Sequence, residues 1–106
     1  MKEVKINDIT YKIGKNAQDN TNLIKDSDPN WFWFHLDKFP SCHVVLCKEE
    51  VTNTEIIQAA TLVKENSKYK FNNIGICYCK INNLIHGKEP GSVSYKSNRA
   101  VNVINI

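Results

Sequence analysis

Long hydrophobic runs are absent from this sequence of 106 residues. The longest apolar stretch extends from Trp31 to Leu36 and is interrupted by His35, whereas a transmembrane helix needs about 20 apolar residues. The first residues also lack the apolar segment of a secretory signal peptide. These absences exclude a transmembrane helix, and we expect a cytoplasmic protein that does not associate with a membrane.

Glycine and proline are scarce, with four and three residues, and the chain has no internal repeat or low-complexity segment. Hydrophobic residues make up 42% of the sequence and charged residues 24%, a composition typical of a folded globular protein rather than a disordered tail. Because about 100 residues is a usual size for one domain, we predict a single domain over residues 1–106.

The four cysteines do not form an obvious zinc site. Structural zinc sites typically use Cys-x2–4-Cys pairs held in tight loops. Here Cys77 and Cys79 lie in a predicted strand, and Cys42 and Cys47 are expected to point to opposite faces of another strand. We therefore expect reduced thiols, as is usual in the cytoplasm, with no bound metal and no cofactor.

Ser41, Cys42 and His43 are adjacent and are residue types found in nucleophile–base pairs. Neighbouring residues of a strand point in opposite directions, so Cys42 and His43 are poorly placed to interact. No G-x-S-x-G elbow or other catalytic signature is present. We expect no enzymatic activity. The alternative is acid–base chemistry on RNA by His35 and His43, because imidazole titrates near neutral pH.

Hydrophobic patterning predicts an α+β domain. Apolar residues at helical spacing follow Thr52, which with Glu55 fits a capping box, so the main helix begins there. A shorter helix is expected over residues 16–26, begun by Asn16. Strands are predicted at residues 4–6, 9–13, 31–36, 42–47, 73–81, 93–95 and 100–106, with turns at 7–8 and 96–99. The expected architecture is a largely antiparallel mixed sheet packed against one main helix and one short helix.

The strands at 31–36 and 42–47 are predicted to form a hairpin centred on Phe39. Residues whose numbers sum to 78 then face each other, so His35 faces His43 and Trp33 faces Val45. Strand alternation also places Trp31, Trp33 and His35 on one face of the sheet. Exposed aromatic rings beside cations bind unpaired bases, whereas most large aromatic residues belong to the core. Both interpretations remain open for Trp33.

Charge is distributed unevenly along the chain. Residues 1–65 contain eight Lys and ten acidic residues, a net charge of −2, whereas residues 66–106 contain five Lys and Arg99 against one Glu, a net charge of +5. Such asymmetry favours a surface that faces a polyanion. The alternative is an ordinary solvated basic surface.

Several motifs resemble those of the NFACT-R family, in the same order and at similar spacing along nearly the whole chain. The segment Gly14-Lys15-Asn16-Ala17-x-x-Asn20 is similar to the motif G-[RK]-N-A-x-x-N. Trp33-Phe34-His35 and the later Ser41-x-His43-Val44-Val45-Leu46 are similar to the W-F-H…S-H-V signature, with Cys42 inserted between the serine and the histidine. The match continues through the helix at 59–63, Tyr78, Asn83, Leu84 and Pro90-Gly91.

NFACT-R is the C-terminal module of NEMF/RqcH-type proteins of ribosome quality control, and it is regarded as a nucleic-acid-binding domain. The resemblance therefore implies a stand-alone module that binds RNA, either tRNA or rRNA, or another nucleic acid, and that acts in translation at the large ribosomal subunit. It carries the family signature over to Gly14, Asn16, Trp33, His35, Ser41, His43, Asn83 and Gly91. We expect Trp33 and the His35/His43 pair to line the binding site, with Lys15, Lys80 and Lys88 near phosphate.

An alternative from another functional class is a protein-interaction module. It would dock on the ribosome or on a partner protein through an exposed strand edge and an aromatic face, without direct contact to RNA.

Overall fold

The computed structural model describes all 106 residues and contains eight β-strands and two α-helices. The strands are β1 (Lys2–Ile6), β2 (Ile9–Ile13), β3 (Phe32–Leu36), β4 (Val44–Leu46), β5 (Gly75–Lys80), β6 (Leu84–His86), β7 (Val93–Tyr95) and β8 (Asn102–Asn105), and the helices are α1 (Ala17–Lys25) and α2 (Asn53–Glu65). Single 3-10 turns cover Ile81–Asn83 and Asn98–Ala100. Neither α-helix has the length and apolar character needed to cross a bilayer.

Six strands form the main sheet in the order β1-β2-β4-β3-β5-β8, and β6 pairs with β7 in a small second sheet. Every strand pair is antiparallel, so the main sheet has no mixed part. The α+β class is confirmed. Asn7 and Asp8 join β1 to β2 with φ values of 52° and 65°, the left-handed conformation that a two-residue hairpin turn requires and that Asn and Asp tolerate.

The central hairpin of β3 and β4 has the predicted register. Trp33 pairs with Val45, and the ring centroids of His35 and His43 lie 5.0 Å apart. β4 is shorter than predicted, because the backbone N–H of His43 donates to the side chain of Asn20 rather than to a neighbouring strand.

Helix α2 covers one face of the main sheet. Its capping box is confirmed: the Thr52 hydroxyl accepts from the Glu55 N–H at 3.2 Å, and the Glu55 carboxylate accepts from the Thr52 N–H at 2.9 Å. The cap fixes the start of the helix, so that its apolar side lies on the sheet. This core consists of Tyr11, Ile13, Phe34, Leu36, Val44, Leu46, Ala59, Ala60, Leu62, Val63, Ile74 and Ile76.

The opposite face of the main sheet is buried as well. Helix α1 and the segment that follows β5 form a third layer there. The residues of this second core are Leu23, Ile24, Trp33, Val45, Cys77, Cys79, Ile81 and Leu84. Trp33 and Phe34, which point to opposite faces of β3, therefore both belong to the core.

One strand near the C-terminal end of the chain was not predicted. The three residues of β6 were too few to produce an alternating pattern, yet they pair with β7. The segment 96–99 links β7 to β8 as predicted, and these two strands lie in different sheets because β8 pairs with β5 at the edge of the main sheet. The strand predicted at 73–81 is confirmed as β5 with closer bounds.

Candidate nucleic-acid interface

A cleft with a volume of about 530 Å³ opens at the end of the main sheet where β2 and β3 finish. The start of α1, the β3–β4 connection, the residues after α2 and the loop before β7 meet around it. Six of the site residues predicted from the sequence line it: Lys15, Asn16, His35, Ser41, His43 and Gly91. Segments distant in sequence thus form one concave surface.

Gly14 sets the geometry of the cleft floor. Its N–H donates to the His43 carbonyl at 2.9 Å, and a Cβ at this position would lie 2.0 Å from Oδ1 of Asn20. That oxygen accepts the backbone N–H of His43 at 3.2 Å. Gly14 therefore leaves room for the buried Asn20 side chain that fixes His43 beside the start of α1.

Asn16 begins α1 and directs the first turn of the helix toward the cleft. Its Oδ1 accepts the Asp19 N–H at 2.8 Å, an N-cap hydrogen bond. The amino end of a helix carries a partial positive charge and free backbone donors. Asn16 and Ala17 both line the cleft, so the amino end of α1 faces it.

The loop that ends in Gly91 closes the cleft on the side of α1. Gly91 has φ of 81°, and a Cβ there would lie 3.1 Å from Cα of Ala17. Its N–H donates to Oγ1 of Thr21 at 2.6 Å. Glycine is needed here because the backbone is in the left-handed region and because it packs directly on the helix.

Both histidines of the cleft are neutral at physiological pH. Burial lowers the pKa of His35, although its hydrogen bond to the Leu36 carbonyl partly opposes the effect. Burial, reinforced by the nearby His35, lowers the pKa of His43 to about 3. Because a carbonyl can only accept, the 2.6 Å contact to Leu36 assigns the proton of His35 to Nδ1 and leaves Nε2 as an acceptor.

His43 carries an unpaired polar atom into this wall. The residue is 2% exposed, and its Nδ1 has no hydrogen-bond partner in the protein. Its ring lies edge-on to the rings of both His35 and Trp33, with centroid distances of 5.0 and 5.3 Å. A buried ring nitrogen without a partner is unusual in a folded protein, and in a cleft wall it is a feature suited to a ligand or an ordered water.

The charges around the cleft favour an anion. Lys15 and Lys68 line it, both exposed, and no Asp or Glu is among the lining residues. Neither lysine forms an ion pair, since the protein's salt bridges involve only Met1 with Asp19 and Lys48 with Glu55. The carboxylate of Asp19 in the first turn of α1 lies outside the lining, where it pairs with the N-terminal ammonium and accepts the Lys15 N–H at 3.3 Å. The two lysines of the lining therefore favour an anion in the cleft.

Ser41 has a structural position in the cleft wall. Its hydroxyl accepts the Leu36 N–H at 3.1 Å and donates to the Cys42 carbonyl at 2.9 Å. Both bonds hold the connection between β3 and β4, so the only hydroxyl proton is already used within the protein.

Four of the predicted residues lie away from the cleft opening. Trp33 is 1% exposed, so the expectation that Trp33 stacks a base of the ligand is wrong. Its ring does stack on the ring of His35, with centroids 5.6 Å apart, because both side chains lie on the same face of β3. Asn83 is buried and holds the backbone of Ser97 through two hydrogen bonds. Lys80 is exposed beside Phe32, and Lys88 lies in the exposed β6–β7 loop.

The sequence prediction missed the segment after α2. The cleft is lined by Asn66, Ser67, Lys68 and Tyr69, whereas the sequence pattern predicts only the end of a helix at Asn66 and Ser67. An available signal was the alternation of basic and aromatic residues in Lys68-Tyr69-Lys70-Phe71.

The cysteines are buried or half-buried free thiols. Burial raises the pKa of Cys42, Cys47 and Cys79 to about 11, so these thiols are protonated near neutral pH. Nowhere do three or more His, Cys, Asp or Glu residues come together as a metal site would need.

Comparison with known proteins identifies the family. Residues 4–97 match the family model of the NFACT protein RNA binding domain, NFACT-R. The chain belongs to the NFACT-R family. Its relatives include coiled-coil domain-containing protein 25 of Mus musculus, 31% identical over 95% of this chain and 54% of the relative, and the Rqc2 homolog RqcH of Bacillus subtilis, 31% identical over 88% of this chain and 17% of the relative.

The same NFACT-R fold occurs in a solved structure, the C-terminal part of the fibronectin/fibrinogen-binding protein from Streptococcus suis. The TM-score is 0.84 with 23% identity, over 92% of this chain and 40% of that one. The chain thus spans about half the length, or less, of the curated relatives it matches.

Proposed function

We propose that this NFACT-R domain binds RNA through the cleft, with backbone phosphate held by Lys15, Lys68 and the amino end of α1. The observation that carries the proposal is the charge of the cleft lining, which contains two unpaired lysines and no carboxylate. Phosphate contacts supply much of the affinity of nucleic-acid-binding proteins. The description of the family as an RNA binding domain supports the same ligand.

His35 is proposed to distinguish RNA from DNA. Its neutral ring is held by the Leu36 carbonyl, and Nε2 remains an acceptor for a ribose 2′-hydroxyl, the group that lets proteins recognise RNA. His43, buried behind it, positions the His35 ring rather than the phosphate.

We propose binding without catalysis. A neutral His43 whose pKa is lowered to about 3 cannot supply a proton near pH 7, so an acid–base pair of the two imidazoles lacks its acid.

The likeness to RqcH, an Rqc2 homolog, supports a cytoplasmic role in ribosome-associated quality control, with tRNA or rRNA of the large subunit as the ligand.

The proposal is tested by fluorescence anisotropy with a labelled RNA oligonucleotide across a range of salt concentrations. Removing two phosphate contacts in K15Q/K68Q is expected to reduce the slope of log affinity against log salt by about 1.4, or about 0.7 per contact for single strands. The matched control is K5Q/K25Q, which makes the same change of net charge at two exposed lysines outside the cleft lining. Undetectable wild-type binding at low salt, or an equal effect of the control, contradicts the proposal.

A second candidate function, docking on a protein, is favoured by one edge of the main sheet. β8 has β5 on one side and no strand on the other, and Val103 on it is 52% exposed. An open edge strand can pair with another chain. Ribosome association that survives nuclease treatment, together with no binding to naked RNA, would support this candidate instead.

A further inference from the structure

Three aromatic side chains form a ridge beside the cleft: Phe39, Tyr69 and Phe71. The rings of Phe39 and Tyr69 are stacked with centroids 4.4 Å apart, and Phe71 meets Phe39 edge-on at 5.8 Å. We call these three residues the aromatic ridge. Stacked and edge-to-face contacts are the arrangements that aromatic pairs prefer, so the three rings support one another.

The outer member of the ridge is its most exposed residue. Phe39 and Tyr69 are partly buried against the core under α2, whereas Phe71 is 52% exposed. Because Phe71 continues an apolar cluster rather than standing alone, the three rings form a contiguous apolar surface of the kind that marks interaction sites.

The aromatic ridge is continuous with the cleft. Tyr69 lines the cleft, while Phe39 and Phe71 line an adjoining concavity of about 330 Å³. A strand of nucleic acid that leaves the cleft past Tyr69 therefore reaches Phe39 and Phe71 next.

Three lysines are sequence neighbours of the aromatic ridge. Lys68 and Lys70 alternate with Tyr69 and Phe71 in the chain, and Lys38 lines the concavity. All three lysines are exposed, and the concavity contains one carboxylate, Asp37. Aromatic rings interleaved with cations suit a flexible polyanion that carries flat apolar groups, which is the chemistry of unpaired nucleotides.

We propose that the aromatic ridge stacks the unpaired bases of an RNA strand whose phosphate lies in the cleft, so that the ligand is single-stranded RNA rather than duplex. This inference rests on the proposed function. In a duplex the base faces are already stacked on each other, whereas a single strand can place its bases on an aromatic side chain. Phe71 is the outermost contact, and Tyr69 connects it to the phosphate site.

The test compares wild type with F71A, F71Y and I57A on three labelled probes: a single-stranded oligouridine, an abasic strand of equal length and an RNA duplex. Loss of one stacking contact is expected to weaken oligouridine binding by F71A about five- to a hundredfold. Binding of the abasic strand should not change, and F71Y should bind oligouridine as wild type does. I57A removes an apolar side chain of similar exposure on α2, 48% against 52%, and should have no effect.

The outcomes separate the two proposals. If F71A binds oligouridine as tightly as wild type, or loses affinity for the abasic strand equally, base stacking on the ridge is wrong while RNA binding by the cleft stands. Tighter binding of wild type to the duplex than to oligouridine would also show that base stacking on the ridge is wrong. If no RNA binds at low salt, the proposed function itself fails. Thermal unfolding of each variant verifies that F71A is folded, and F71L, which keeps an apolar side chain without a ring, takes its place if it is not.

Discussion

Replacing Gly14 by alanine tests how the cleft is built. The new Cβ would lie 2.0 Å from Asn20 Oδ1 and 3.2 Å from the Asn20 Cα. The side chain of Asn20 cannot move away freely, because its Oδ1 accepts the His43 N–H inside the protein. Substitution of Gly14 therefore separates Asn20 from His43.

Two opposing contributions determine how much G14A changes the free energy of unfolding. A buried N–H left without an acceptor destabilises a protein by about 1–3 kcal/mol. Alanine at a backbone conformation open to it stabilises by about 0.4–1 kcal/mol through the unfolded state, and Gly14 does not have a positive φ. We expect a net loss of about 1–2 kcal/mol in the free energy of unfolding, or about 4–8 °C in Tm for a domain of this size.

Urea unfolding followed by circular dichroism measures the effect, and a double-mutant cycle locates it. N20A also leaves the His43 N–H unpaired, but it removes the atom that the new Cβ would meet. The variant G14A/N20A should therefore be no less stable than N20A alone, with a coupling of about 1–2 kcal/mol. G75A is the control, because its Cβ would approach nothing closer than 3.2 Å. Additive effects of G14A and N20A would refute the role assigned to Gly14.

Two further predictions concern titrating groups. As pH falls from about 6.5 toward 3, His43 takes up a proton in the unfolded chain but not in the folded protein. The free energy of unfolding should therefore fall between pH 7 and 5 by up to about 2 kcal/mol. In urea titrations, H43Q should flatten this pH dependence, and an unchanged pH dependence in H43Q would contradict the burial argument. Because burial raises the pKa of Cys42, Cys47 and Cys79 to about 11, their thiolate fraction at pH 8 is about a hundredfold below that of free cysteine. A thiol reagent should thus react slowly with native protein and quickly in urea, and equal rates would contradict it.

The sequence was sufficient to predict those structural elements that are determined by residues close together in the chain. The capping box at Thr52 depends on one turn of helix, and it is present. The register of β3 and β4 depends on turn length and on side chains buried on both faces, which a slip of one residue would invert. Trp33 faces Val45 for that reason.

The burial of Trp33 could not be predicted from the local sequence pattern. Strand alternation separates Trp33 from Phe34 but does not reveal what covers each face. The cover over Trp33 comes from α1 and from residues after β5, including Leu84, and β6 was too short to be recognised. An aromatic residue was therefore assigned to a ligand surface when tertiary packing makes it core.

The cleft was predicted only in part for a related reason. Lys15 and Lys68 are separated by 53 positions in the sequence, and they line one surface only because α1 and the end of α2 approach the same end of the sheet. No local pattern encodes that approach. The family motif supplied Lys15, and it contains nothing that corresponds to Lys68 or Phe71.

Most motif residues consequently have a structural task, whereas Lys15 and His35 belong to the motifs and are also proposed contacts. Gly14, Asn16 and Ser41 form hydrogen bonds within the protein around the cleft, whereas Asn83 holds the backbone of Ser97 away from it. The first three motif residues therefore contribute to the shape of the cleft. The ammonium of Lys15 and the exposed side of Phe71 make no such bond and remain available to a ligand. Substitutions in the first group should reduce stability and RNA affinity together, whereas substitutions in the second should reduce affinity alone. This separation, measured on the same variants, decides whether the cleft of this NFACT-R domain is a binding surface or only a consequence of its fold.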